Sequence, residues 1–147
     1  MFSPNEILHN TYVLKKAYDT LCERIAEEND MTRVEVDILA FLASNPQYNT
    51  ARDIAGCRMI AKSHVSKATD TLTAKGYLRS EPDKTDRRKI RLYPTEAVSG
   101  IMDTILSQTS FFAEELVRGF SEEDKALISR LSVRIAENAR NMVMDQT

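Results

Sequence analysis

Four basic side chains, Lys84, Arg87, Arg88 and Lys89, fall within six consecutive positions of this 147-residue sequence. Like charges crowded on one turn repel one another unless a polyanion relieves them. An arginine on a protruding loop suits the minor groove of DNA, where negative potential deepens as the groove narrows. Asp86, in the same turn, is placed to hold a guanidinium in a fixed pose through a bidentate pair. The competing reading is a charged edge turn that only discourages strand-to-strand association. Just upstream, Ser63, His64, Ser66, Lys67, Asp70 and Thr71 share the outward face of a helical pattern whose inward positions are Val65, Thr69 and Leu72. Hydroxyl, imidazole and ammonium groups at that spacing suit phosphates and base edges, and a helix N-terminus favours phosphate. An ordinary polar surface helix would have a similar composition.

Catalytic chemistry has little to work with, so no enzyme is expected. There is no glycine-rich phosphate loop and no Cys-x-x-Cys, and His9 and His64 lie far apart without metal-ligand spacing. No catalytic residue, metal or cofactor is therefore assigned, and Glu114-Glu115 reads as a solvated helix pair. Charge distribution points the other way. The net charge is −2, yet residues 51–91 carry eleven Lys/Arg against five acids, leaving the remainder acidic. A basic middle within an acidic frame is what one module touching an anionic polymer requires. Apolar runs are only a few residues long, well short of the roughly 20 needed to span a bilayer. The start, Met1-Phe2-Ser3-Pro4, shows no secretory pattern. Cys22 and Cys57 stand in unrelated contexts, so a reducing cytoplasm is the expected location.

These residues need elements to hold them. Apolar residues over 6–28 recur every three or four positions, predicting a long helix. Thr32 and Glu35 make a capping box for a second helix with Val36, Leu39 and Leu42 inward, ended by Ser44-Asn45-Pro46. Thr50 and Asp53 repeat the device for a short helix built on Ile54 and Ala55, with Gly56 loosening the chain. Ser63 is the expected N-cap of a helix over 63–75, and Gly76 its stop. Alternating segments at 77–81 and 89–93, around the turn chemistry of residues 82–86, predict a β-hairpin with Leu78, Ile90 and Leu92 available to the core. Thr95 is read as the cap of a long amphipathic helix closed by Gly119, and Ser121 opens a last one carrying Leu127, Ile128, Leu131, Ile135 and Met142. The fold class is mainly α (α+β): a winged helix-turn-helix with a small hairpin wing. A single domain covers 1–147, with a DNA-binding lobe at 31–93 and dimerisation helices at 5–30 and 95–145.

Lys62-Ser63-His64-Val65-Ser66-Lys67, then Leu72, Lys75-Gly76-Tyr77-Leu78, and Asp86-Arg87-Arg88 leading to Thr95 resemble the multiple-antibiotic-resistance regulator (MarR) family over nearly the whole chain. Two positions depart from its pattern: Pro94-Thr95 stands where Leu-Thr is usual, and Met59 where glycine is common. The resemblance implies a homodimer on a pseudo-palindromic operator, a recognition helix at 63–75 and a wing at 81–88. Arg88 becomes the minor-groove residue and Asp86 its orienter. It also implies an effector, often a small aromatic acid, for which Tyr12, Tyr18, Met31, Phe41 and Tyr48 are the candidate lining, although such residues at helical spacing are commonly core. Some relatives sense oxidants through a cysteine on the first helix, where Cys22 lies at a stripe position, while Cys57 sits beside Arg58. The expected function is a DNA-binding transcriptional regulator acting as a repressor. The alternatives are a protein-interaction winged helix and a redox-sensing regulator.

Overall fold

Capping chemistry sets the first three helix starts. In the computed structural model, which describes residues 3–144, Ser3 accepts from the Glu6 amide and opens α1 (Pro4–Glu28). Thr32 and Glu35 close the expected box at the head of α2 (Arg33–Ser44), each bond at 3.2 Å. Thr50 and Asp53 do the same for α3 (Ala51–Arg58). Satisfying amides that would otherwise lack partners stabilises each start by about 1 kcal/mol. Then come α4 (Lys62–Ala74), β1 (Leu78–Pro82), β2 (Ile90–Pro94), a 3-10 turn (Glu96–Val98), α5 (Ser99–Leu116) and α6 (Glu122–Met144). The strands form one antiparallel hairpin in which Leu78 faces Pro94 and Pro82 faces Ile90.

Four details differ from the sequence reading. Gly56 does not loosen α3, which continues to Arg58 and is capped by Met59 in the left-handed region, φ 53°. The helix α4 begins one residue early, with Ala61 at the N-cap and no side-chain bond, so Ser63 lies inside the first turn. Ile90 is exposed at the hairpin's tip end, while Leu78 and Leu92 are buried as expected. Thr95 does not cap with its side chain. Its hydroxyl donates to the Gly76 carbonyl at 2.5 Å instead, tying the end of the hairpin to the end of α4.

Two compact units divide the chain, one up to Thr109 and one from Ser110 onward. In the first, α2 is the hub, packing against α1, α3, α4 and β2. This is why Ile38, Ala40 and Phe41 are buried along with the expected Val36, Leu39 and Leu42. Val65, Leu72, Ile54, Ile25, Val98 and Ile105 complete the core, each side chain contributing about 1.5–3 kcal/mol by leaving water. The second unit holds the end of α5, a turn at Gly119 with φ 81°, and α6. Ser121 and Asp124 exchange bonds at the α6 start, the hydroxyl donating at 2.8 Å and accepting from the Asp124 amide at 3.1 Å. None of α6 is buried within the single chain.

Met59 gives a direct test of local strain. A non-glycine residue in the left-handed region costs about 1–2 kcal/mol, and at 93% exposure its side chain contributes little packing in return. Met59→Gly is expected to raise stability by about 0.5–1 kcal/mol after the glycine's greater unfolded-state entropy is deducted. Urea denaturation would read this as a higher midpoint at unchanged slope, and a lower midpoint would refute the strain assignment.

Candidate nucleic-acid interface

The inward side of α4 is Val65, Ala68, Thr69 and Leu72, held against α2 and α3. That seating leaves Ser63, His64, Ser66, Lys67 and Asp70 exposed and Thr71 half-buried on the other side. The Thr71 hydroxyl donates to the Lys67 carbonyl at 3.0 Å, so it is occupied within the helix. At the N-terminus the Ala61 carbonyl takes the His64 and Val65 amides, but no side chain covers the first turn. The positive end of the helix dipole therefore faces outward uncapped, beside Lys62 and Lys67.

In the wing, Lys84, Arg87, Arg88 and Lys89 are all exposed, Arg88 with 93% of its side chain accessible. Asp86 holds Arg88 as expected, but the bonding differs from a two-pronged pair. A single oxygen, Oδ1, accepts both the Arg88 amide and its Nε, each at 3.2 Å. The arrangement sets the start of the side chain and leaves the rest of the guanidinium outward. Among the described residues no carboxylate lies within ion-pair distance of Lys84, Arg87 or Lys89.

Sequence reasoning passed over the residues that organise this tip. Asp83 Oδ1 accepts from the Thr85 amide at 2.9 Å, the Thr85 hydroxyl at 2.7 Å and the Asp86 amide at 3.0 Å. Its Oδ2 accepts from Arg91 Nε at 2.7 Å. Arg91 also donates to Asn49 Oδ1 at 3.0 Å, while Asn49 pairs with the Leu92 backbone in both directions, at 3.0 and 2.8 Å. The wing is thus stitched to the chain entering α3, and Arg91 is a structural cation. The Asp-x-Thr spacing, a turn signature, was the available signal for Asp83. Nothing local marked Asn49.

The Asp86 amide, the Thr85 hydroxyl and Arg91 hold the Asp83 carboxyl well below the usual carboxylate range. A depressed native value contributes stability that is present above the unfolded value of about 3.9 and lost as pH falls through the native one. The wing is therefore expected to stay ordered through pH 4, with Asp83 titrating well below its unfolded value by carboxyl-carbon NMR. Asp83→Asn, which keeps an acceptor for Thr85 but turns an amide toward Arg91, should loosen the wing without unfolding the core. An ordinary titration for Asp83 would sink the assignment.

A groove of about 740 Å³ separates the wing from the start of α3, lined by Tyr48, Arg52, Arg88, Lys89 and Ile90 among others. Tyr48 is the one candidate ligand residue found there. Phe41 is buried in the core below Arg58, 5.8 Å from its ring. Tyr18 packs on that core under Arg33 at 5.6 Å, with Met31 beside the same cluster. Tyr12 is exposed on α1. Tyr18, Met31 and Phe41 therefore belong to the core, while Tyr12 and Tyr48 are exposed. Cys22 is buried and Cys57 exposed. Burial pushes the Cys22 thiol up, against the opposing hydrogen bond from Tyr18, which disfavours the thiolate. Among the described residues no cluster of three or more His, Cys, Asp or Glu could hold a metal, and no helix is long and apolar enough to cross a membrane.

Known proteins share the fold that carries these residues. Residues 29–89, from the end of α1 to the wing, match the model of the MarR family. The chain is similar to the HTH-type transcriptional regulator YybA of Bacillus subtilis, 23% identical, with 91% of this chain and 89% of the relative covered. It is also similar to the HTH-type transcriptional regulator PecS of Dickeya dadantii, 24% identical, over 84% of this chain and 75% of the relative. Its fold matches a MarR-family regulator from Listeria monocytogenes solved with a 26-mer DNA, at a TM-score of 0.80 and 19% identity, covering 94% of this chain and 89% of the other. Residues 29–89 are thus similar to the MarR family, and the fold is that of a winged-helix MarR-family structure over nearly the whole chain.

Proposed function

We propose that this regulator binds a pseudo-palindromic operator as a homodimer, acts as a repressor, and is released by a small organic effector. The observation that carries the DNA reading is the exposed cationic wing beside an uncapped helix start. Arg88 is held outward by Asp86, Lys84, Arg87 and Lys89 lack acidic partners among the described residues, and α4 offers Ser63, His64, Ser66 and Lys67 from a seated face. In this reading α4 enters the major groove, the wing tip reaches the minor groove, and two copies set their helices about 34–36 Å apart. The Listeria neighbour was solved with a 26-mer DNA, which supports DNA as the partner. Tyr18, Met31 and Phe41, with Arg33 and Arg58 above the rings, suit a small aromatic anion once the core loosens around them. Release rather than recruitment then gives repression its switch.

Duplex binding should weaken steeply with salt, because each neutralised phosphate contributes about −0.9 to the slope of log affinity against log salt. For two copies each making three or four phosphate contacts, a slope near −6 is the expected result. No detectable binding at low salt would leave the wing as a surface for protein partners and remove the DNA reading.

A further inference from the structure

Resting on the DNA reading above, we infer that Lys75 is a positioning residue for DNA recognition, locking the C-terminal end of α4 to the α1–α2 turn through the buried carboxylate of Glu35. Lys75 is the C-cap of α4 and lies on the far end from the uncapped start. Its Nζ donates to Glu35 Oε2 at 3.1 Å and to the Asp30 carbonyl at 2.9 Å. The Glu35 side chain is only 3% exposed. That same Oε2 accepts from the Thr32 amide, so one carboxylate closes the cap of α2 and anchors the lysine. Asp30 itself sits at φ 53°, a conformation that non-glycine residues keep only where the surroundings hold them.

Three further bonds fix the same end of the helix. The Tyr77 amide donates to the Leu72 carbonyl at 2.9 Å and the Thr95 amide to the Tyr77 carbonyl at 2.9 Å, while the Thr95 hydroxyl holds Gly76. The end of α4 is therefore tied on one side to the turn leaving α1 and on the other to the segment entering α5. A helix that reads base edges needs its position fixed to about 0.5 Å and its angle to about 10–20°, and apolar packing of Val65, Ala68 and Leu72 alone resists sliding and tilting weakly. The ion pair supplies direction. It also joins the α1–α2 turn to the C-terminal end of α4.

Lys75→Met alone leaves Glu35 as an uncompensated buried charge and is expected to damage folding. The informative variant is Glu35→Gln with Lys75→Met, because glutamine retains the capping box and nothing charged is stranded. Three readings are made on the full-length chain. The first is amide exchange over residues 72–77, expected to quicken roughly tenfold while α2 stays protected. The second is the affinity ratio between a duplex enriched from a random pool by the unaltered protein and a scrambled duplex, expected to fall roughly tenfold. The third is the salt slope, expected to be unchanged because Lys75 touches no phosphate. Unchanged exchange overturns the proposal whatever the DNA measurements give. So does quickened exchange with full discrimination, and so does a slope reduced by about 0.9, which would make Lys75 a phosphate contact. If the unaltered chain enriches no duplex, the DNA reading fails by a result distinct from the exchange measurement, and the recognition role assigned to Lys75 falls with it.

Discussion

Arg88→Ala is expected to reduce affinity for duplex DNA by ten- to a hundredfold at fixed salt, equivalent to about 1–3 kcal/mol, while leaving the thermal midpoint of the protein unchanged. The asymmetry follows from the wing's construction. Arg88 is 93% exposed and its contact with Asp86 is a surface pair of one oxygen with Nε, and such pairs contribute little to folding. The hairpin's order comes from Asp83, Arg91 and Asn49, none of which the substitution touches. A side chain that stabilises nothing in the free protein yet is fixed in direction is one whose interaction lies with a partner. Arg88→Lys should recover only part of the loss, because an ammonium lacks the planar fork and weaker hydration that suit a guanidinium to a narrow groove. Asp86→Ala should show a smaller defect of the same kind, since it frees the arginine without removing its charge. Equal affinity for Arg88→Ala and the unaltered chain, measured by fluorescence anisotropy at low salt, would show that the wing does not enter the duplex.

The parts of this fold legible in the sequence are those governed by local chemistry. Thr32 with Glu35 and Thr50 with Asp53 announced two helix starts because a capping box needs only four residues. The hairpin was visible because the hydrophobic period changes after Gly76 and a turn signature follows. The failures have one physical source, which is that tertiary partners decided what local preference left open. Ser63 is a better N-cap by type than Ala61, but the chain leaving Met59 is capped at Ala61, two positions earlier, and leaves that serine exposed inside the first turn. Leu92 and Ile90 alternate identically in the sequence, and only the approach of α2 and α3 to β2 buries the first and not the second. Thr95 spends its hydroxyl on Gly76, a residue distant in sequence. For the site, charge showed where the wing is, but charge alone could not separate Arg91, which is bound to Asp83 and Asn49, from Arg88, which is not. Glu35 and Lys75 were each seen in a local role, and their pairing across 40 positions has no local signature.

Replacing Leu131 and Ile135 together by glutamate is expected to convert the protein to a monomer in sedimentation velocity and to lower operator affinity by more than a hundredfold. In the single chain Leu131 is 40% and Ile135 54% exposed, and Ile128, one turn away, is 44% exposed. They recur at helical spacing on α6, which buries no residue of its own, so an apolar stripe of this kind stands in water unless a second copy covers it. Substitution therefore removes little packing within the chain, and helicity by circular dichroism should stay close to that of the unaltered protein. Four glutamates facing each other across a symmetric contact carry both lost burial, roughly 1.5–3 kcal/mol per side chain, and repulsion. The effect on DNA is larger than the effect on either half-site, because linking two modest binding events makes the second effectively intramolecular. A monomer with undiminished operator affinity would show that one wing and one recognition helix suffice. A dimer that survives both glutamates would place the interface on other residues, with Leu8 and Tyr12 on α1 the next exposed apolar pair to test.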